Sequence, residues 1–231
     1  MLRLEDVHAY YGESHVLQGV SLEVREGEVV CLLGRNGAGK TTTLRAIMGL
    51  TPPARGRVVF RDRIISGLPP NRVNALGIGF VPEDRRVFRG LSVAENLQVA
   101  EARGRRQRRW PLERIYDLFP MLAERRDQPG DRLSGGQQQM LTIARALVGE
   151  PDLLLLDEPN EGLAPVVVQQ IGRLVDELAA TTTILLTEQN IRFALRHAKR
   201  GYVIQKGRIV HDAPTDEFRT RPERLERLLS V

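Results

Sequence analysis

The most chemically loaded stretch of the sequence runs Gly34, Arg35, Asn36, Gly37, Ala38, Gly39, Lys40, Thr41, which fits the pattern G-x-x-x-x-G-K-[ST]. The apolar residues Val29, Val30, Cys31, Leu32 and Leu33 precede it, and a helical pattern follows it. That is the strand-loop-helix setting in which such a loop cradles phosphate. Glycines let backbone N–H groups turn inward, and the helix amino terminus adds its partial positive charge. Lys40 is the compact cation for β- and γ-phosphates, Thr41 offers a hydroxyl to Mg²⁺, and Thr42 is expected on the α-phosphate side. The segment predicts a nucleoside triphosphate site.

A second constellation lies far downstream, where Leu153, Leu154, Leu155 and Leu156 run into Asp157, Glu158 and Pro159. The carboxyl end of a buried strand is where ligands bind in a parallel α/β sheet. Asp157 is placed to hold a metal through water, and Glu158 to polarise an attacking water as general base. Two solvated loop carboxylates are the plainer alternative. Four consecutive leucines behind a pair of acids, in a chain with a phosphate loop, argue against it.

The elements that must carry these residues follow from periodicity. Short, mainly apolar runs at 29–33, 78–81, 153–156 and 183–186 predict buried strands, and helical patterns follow Lys40, start near Ser92, and cover 135–148 and 165–179. Pro165 suits the first turn of its helix. The first 25 residues alternate instead, with Leu2, Leu4, Leu22 and Val24 on one side, which predicts antiparallel strands. The expectation is an α/β fold with a largely parallel sheet: a core over 1–83 and 150–231, interrupted over 84–149 by an Arg-rich helical insertion. Within that insertion, 103–110 is the densest basic run and reads first as a solvated loop. Phe88, Leu91 and Val93 form a short apolar cluster in charged surroundings, expected to meet a partner or to serve the insertion's own packing.

Composition narrows the class. The chain has 231 residues and a net charge of +5, and only three of its 34 basic residues are lysines (Lys40, Lys199, Lys206). A 42% hydrophobic share predicts a folded core. The single cysteine, Cys31, excludes a disulfide scaffold and reads as a small core residue. No apolar stretch reaches the 18 or so residues of a membrane span. Met1 leads directly into Leu2, Arg3 and Leu4 without secretory-leader features, which predicts a cytoplasmic chain. His8, His15, His197 and His211 have no carboxylate or thiol at ligand spacing, so surface or capping roles are expected.

Leu133, Ser134, Gly135, Gly136, Gln137, Gln138 and Gln139, lying between the phosphate loop and the Asp157–Glu158 pair, complete a set of three motifs. In order and spacing the set resembles the ABC ATPases over essentially the whole chain. The resemblance implies a RecA-like P-loop core, an antiparallel β subdomain and an inserted α-helical subdomain. It also implies ATP and Mg²⁺ as cofactors. Ser134, with the N–H groups of Gly135 and Gly136 at a helix start, forms a second anion site, and Gln137 belongs to the same motif. In the family that site faces the γ-phosphate held by a partner subunit, so one chain supplies half of each ATP site. Tyr11, next to Gly12 and with Val16 nearby, fits the aromatic that stacks on adenine. Tyr10 is the competing candidate, and a core tyrosine is the third possibility.

Three positions depart from the common family pattern. Glu83 stands where a glutamine usually reaches toward metal and water, Gln189 where a switch histidine is usual, and Ala164 where an aspartate is common. Glu83 adds negative charge, Gln189 keeps a neutral donor without a protonation switch, and Ala164 removes a carboxylate from the expected dimer seam. One reading is a slowed site. The better account is a subfamily: the run 81–88, the segment 162–165, Glu188 to Asn190, the helix start at 92–97 and the segments 200–204 and 207–210 resemble the LivF type. Those are ATP-binding subunits of branched-chain amino acid importers.

The resemblance then implies a second ATPase subunit (a LivG-like partner or a second copy), two membrane permeases and, indirectly, a periplasmic or extracellular binding protein. It implies a place on the inner face of the cell membrane. A urea or short-amide importer and a lipopolysaccharide exporter are transport alternatives. A soluble ABC ATPase acting on nucleic acid is the rival from another class, attractive only for the basic charge. One phosphate loop and one signature in this length argue against it, and no nucleic-acid partner is expected.

Overall fold

In the computed structural model, which describes residues 1–101, 109–220 and 222–230, the alternating amino-terminal residues form two long strands, β1 (Leu2–Tyr11) and β2 (Ser14–Val24). Leu2 faces Val24 and Leu4 faces Leu22 across this antiparallel pair. All four are buried, as alternation over one covered face requires. β3 (Val29–Leu33) is buried throughout and runs through the phosphate loop into α1 (Lys40–Ile47). β4 (Arg55–Phe60) and β5 (Arg63–Ile64) then complete an antiparallel sheet in the order β2-β1-β4-β5.

Neither β4 nor β5 is among the strands expected from the sequence. β4 has three exposed residues. Its turn at Arg61 and Asp62 takes left-handed backbone angles (φ 47° and 60°) without the glycine or asparagine that usually marks a hairpin.

After α2 (Pro70–Ala75) comes β6 (Ile78–Val81). Among the described residues four α-helices follow: α3 (Val93–Gln98), α4 (Leu112–Leu118), α5 (Pro120–Ala123) and α6 (Gly135–Val148). The chain then alternates through β7 (Leu153–Asp157), α7 (Pro165–Leu178), β8 (Thr183–Glu188) and α8 (Ile191–His197). A hairpin of β9 (Arg200–Gln205) and β10 (Arg208–Pro214) leads to α9 (Thr215–Thr220) and α10 (Pro222–Ser230). The second sheet has the order β10-β9-β3-β8-β7-β6. It is parallel except for β10 against β9.

Both faces of the sheet are covered over β3, β8 and β7, which is why those strands are buried throughout. Along β3, Val29, Cys31 and Leu33 enter a core shared with α6, α7 and α8. Val30 and Leu32 enter the other core, with β1, β2 and α1. Cys31 is a buried free thiol, as expected for a core residue.

Three expectations change. Most of the basic run 103–110 lies outside the described residues, but its last two members are not a solvated loop. Arg109 donates to Pro151 O (2.8 Å) and Asp152 Oδ1 (2.9 Å), and its N–H bonds the buried Glu150. Trp110 is buried, its N–H on Glu150 Oε1 at 2.7 Å and the Arg114 guanidinium 4.3 Å above its ring.

The apolar cluster of Phe88, Leu91 and Val93 is divided: Val93 is fully buried in the helical core, while Phe88 is exposed beneath Arg145. Chain proximity does not make a surface patch when one member opens an amphipathic helix.

Three of the four histidines do have carboxylate neighbours, supplied by the fold or by strand pleating rather than by helical spacing, while His15 meets His8 and Tyr10. His8 Nε2 lies 3.2 Å from Asp6, His197 Nδ1 2.7 Å from Asp176, and His211 Nε2 3.9 Å from Glu217.

Candidate functional site

The carboxyl ends of β3, β6, β7 and β8 bring the chemistry together. Parallel register sets Leu33 beside Glu188 and Asp157 beside Thr187, so the loops leaving these strands share one rim. The phosphate loop begins at Gly34, where a Cβ would stand 2.7 Å from Ile204 O, so a side chain is excluded by the neighbouring strand. It ends at Gly39, whose left-handed φ of 114° starts α1. Arg35, Asn36, Gly37 and Ala38 line a cleft with Ile204 and Lys206.

Lys40 is 3% exposed. Its ammonium donates to Gly34 O (2.7 Å) and Arg35 O (2.9 Å) and pairs with Glu158 Oε1 at 3.1 Å. The Thr41 hydroxyl donates to Asp157 Oδ1 (3.0 Å), the same oxygen that accepts from Thr187 Oγ1 (2.8 Å). Thr42 is buried in the first turn of α1.

Crowding of acids governs the electrostatics. Burial pushes the Asp157 carboxyl up, against the two threonine hydroxyls that stabilise its anion. Burial also raises Glu158, against the pull of Lys40. Glu83, largely exposed after β6, is raised by what burial it has and by the charges of Glu158 and Asp157. Carboxylate oxygens of Glu83, Glu158 and Glu161 lie within 4.8 Å of one another. Glu83 also shares a cleft with Thr41 and Asp157. Hard oxygen donors repelling one another beside a threonine hydroxyl form a donor set suited to Mg²⁺. In Glu158 the backbone takes a left-handed φ of 42°, and its N–H bonds Thr187 Oγ1 at 3.0 Å.

Ser134 caps α6: its hydroxyl accepts from Gln137 N, and Gln137 Oε1 accepts from Ser134 N at 2.9 Å. The hydroxyl proton is not consumed by that box. A Cβ on Gly136 would meet Val167 Cγ2 at 2.8 Å, and one on Gly135 would displace the Arg85 guanidinium, whose Nη1 would stand 2.5 Å away. Ser134 and Gln137 spend these bonds on each other and not on the phosphate loop.

The two tyrosines point to opposite sides of β1. Tyr11 is 45% exposed; Thr51 Oγ1 donates to its phenol oxygen (3.3 Å), and the Arg45 guanidinium of α1 lies 6.0 Å from its ring. Tyr10 stacks on His15 instead, with ring centroids 4.3 Å apart. Neither is a core tyrosine. Val16 is partly buried against the core. Ala164 precedes α7 without a side-chain cap, and Pro165 takes the first helical position.

One residue escapes the sequence reading. Gln189 is exposed, but its neighbour Glu188 is 3% exposed. Glu188 accepts from Asn160 Nδ2 (2.5 Å) and Asn190 N (3.2 Å), and its backbone oxygen accepts from Gly34 N (3.3 Å). Burial pushes its carboxyl up to about 7. The signal was present: like Asp157, Glu188 is an acid at the carboxyl end of a buried strand.

A family model described as ABC transporter matches residues 17–161. The high-affinity branched-chain amino acid transport ATP-binding protein BraG of Pseudomonas aeruginosa is 43% identical over 92% of this chain and 92% of its own length. A probable branched-chain amino acid transport ATP-binding protein LivF of Archaeoglobus fulgidus is 34% identical, covering 99% of this chain and 98% of its own. The lipopolysaccharide export system ATP-binding protein LptB of Escherichia coli is 37% identical over 90% of this chain and 88% of its own. Among solved structures, the dimeric MJ0796, a bacterial ABC transporter cassette, superposes with a TM-score of 0.82 at 27% identity, covering 93% of this chain and 99% of that one.

Proposed function

The chain belongs to the ABC transporter family of ATP-binding proteins, as an ATPase subunit of the LivF type, and from that premise we propose that it powers import of branched-chain or similar hydrophobic amino acids. The observation that carries the chemistry is the meeting of Lys40 with Glu158 and of Thr41 with Asp157 at one rim. Thr41, Asp157 and Glu83 hold Mg²⁺, which neutralises charge on the phosphate oxygens when bound. Lys40 turns from the Gly34 and Arg35 carbonyls to the β- and γ-phosphates. Glu158, released from Lys40, takes a proton from the attacking water; a carboxyl raised toward neutrality suits that work. Gln189 donates to the γ-phosphate, Tyr11 stacks on adenine, and Gly34 to Thr42 wrap the phosphates.

Ser134, Gly135, Gly136 and Gln137 serve the nucleotide of a second ATPase subunit, either a LivG-like partner or a second copy. ATP closes the pair and hydrolysis reopens it. Two membrane permeases receive the motion at the groove lined by Phe80, Phe88, Val99 and Arg145, on the inner face of the membrane. A binding protein outside supplies the amino acid. Among the described residues no helix is long and apolar enough to cross a membrane, so the path itself belongs to the permeases.

The test is reconstitution of the chain with its permeases and binding protein in vesicles loaded with ATP and Mg²⁺. Uptake of leucine, isoleucine or valine supports the proposal. Uptake of urea, or extraction of lipopolysaccharide, would replace the substrate assignment.

A further inference from the structure

Arg85 has no part in the chemistry above, yet it touches the loop after Glu158 and the start of the helix that Ser134 caps. Its backbone is strained into the left-handed region (φ 55°), a conformation a bulky residue keeps only when its surroundings enforce it. The Thr142 hydroxyl on α6 shares its one proton between the Arg85 carbonyl at 3.1 Å and Gln138 O at 2.9 Å, and Arg85 N–H approaches Pro82 O at 3.4 Å. The guanidinium leaves this turn and donates through Nη2 to Glu161 O at 2.8 Å, in the loop that follows Glu158. Its other nitrogen lies against the first residue of α6, in the space a Cβ on Gly135 would fill. Among the described residues no carboxylate lies within ion-pair distance of it, so a neutral carbonyl receives this cation's hydrogen bond.

The loop it holds is short and otherwise anchored at its opposite side. Asn160, one residue before Glu161, gives its amide to Glu188 on β8. Glu161 N–H returns to Glu158 O at 3.1 Å, so a displacement of Glu161 is passed directly to Glu158. Two residues before Arg85 stands Glu83, and three after it stands Phe88, at the groove assigned above to a permease.

We propose that Arg85 is a positioning residue: it fastens the loop 159–163, and through it Glu158, to the start of α6 and to the segment 82–88, so that the three move as one body. The kinetic part rests on the ATPase reading; the fastening itself does not. A charged donor on a carbonyl is among the stronger single hydrogen bonds, and its planar fork suits a residue that must reach one loop while lying on another.

The test compares the full chain with Arg85→Ala, Arg85→Lys and Thr142→Val, first by amide hydrogen exchange without nucleotide. Exchange at Glu161 and Leu163 should rise about tenfold in Arg85→Ala, less in Thr142→Val, and partly recover in Arg85→Lys. In ATP turnover, kcat should fall about tenfold in Arg85→Ala while KM for ATP stays within about twofold. Unchanged exchange at 159–163 would overturn the proposal. So would a rise in KM with kcat intact, which assigns Arg85 to nucleotide binding, or uniformly faster exchange in both Arg85 variants and in Thr142→Val, which assigns it to global stability. A wild-type chain that hydrolyses no ATP would remove the ATPase reading and leave the exchange result standing.

Discussion

Lys40 Nζ and Glu158 Oε1 lie 3.1 Å apart across the gap between phosphate loop and strand end, the ammonium 3% and the carboxylate side chain 9% exposed. A buried pair of this kind is costly to break one-sidedly, because the survivor keeps its charge without compensation. In the function proposed above each partner has a second task, which makes the pair a resting contact between the proposed phosphate ligand and the proposed base.

Glu158→Gln keeps the shape and removes the carboxylate proposed as the base. ATP turnover should fall at least about a hundredfold, with nucleotide binding retained and ATP-bound pairs accumulating in gel filtration. Turnover at the parent rate would show that Glu158 is not the base.

Lys40→Ala removes the cation from both phosphate and Glu158. Affinity for ATP should weaken about a hundredfold, the value of a charge-assisted bond or two, measured by calorimetry with a non-hydrolysable analogue.

Tyr11 and Tyr10 are separated by their surroundings. Tyr11→Ala should raise KM for ATP several-fold through lost stacking, while Tyr10→Ala, which removes the partner of His15, should leave KM unchanged. Equal effects would refute the assignment of adenine to Tyr11.

Glu188 makes a prediction about pH. Its folded carboxyl titrates at about 7 because burial favours the neutral form, whereas an unfolded glutamate titrates near ~4.3. Between those values the folded chain binds the extra proton, so stability is fully present below the lower value and declines as pH rises to about 7. Asp157, Glu158 and Glu83, all raised, act in the same direction. Urea denaturation from pH 5 to 8 should show falling stability, on the order of 3 kcal/mol at most from Glu188. Glu188→Gln should flatten the slope; an identical slope would exclude Glu188 as its source.

Glu150 joins the segment around Trp110 to the start of β7 by accepting the N–H groups of Arg109 and Trp110. Glu150→Ala should destabilise the fold by about 2–3 kcal/mol through buried donors left unpaired, read as a lower urea midpoint. A midpoint shift under about 0.5 kcal/mol would mean water replaces the carboxylate.

The sequence was most legible where local chemistry and local backbone coincide. Gly34 to Thr41 needs its glycines and lysine in one contiguous loop, and Ser134 with Gln137 forms a capping box within four residues. β3, β7 and β8 could be read because strands covered on both faces carry continuous apolar runs, Val29 to Leu33, Leu153 to Leu156 and Ile184 to Leu186. β4 and β5 could not, since their turn uses Arg61 and Asp62 in place of the usual glycine. The sequence leaves partner contact and internal packing open for Phe88 and Val93, and only the fold separates them, because adjacency along the chain says nothing about which side of a helix faces the core.

The sequence by itself determined the reaction class and the family, because both reside in short motifs whose spacing is enforced by one turn of backbone. Only the tertiary structure decided how those motifs are joined. Lys40 and Glu158 are 118 positions apart, Asn160 and Glu188 are 28 apart, and Arg85 and Glu161 are 76 apart. Each meets its partner because parallel register brings the carboxyl ends of separate strands to one rim. That contact depends on sheet order and side-chain reach, which no local pattern of residues encodes.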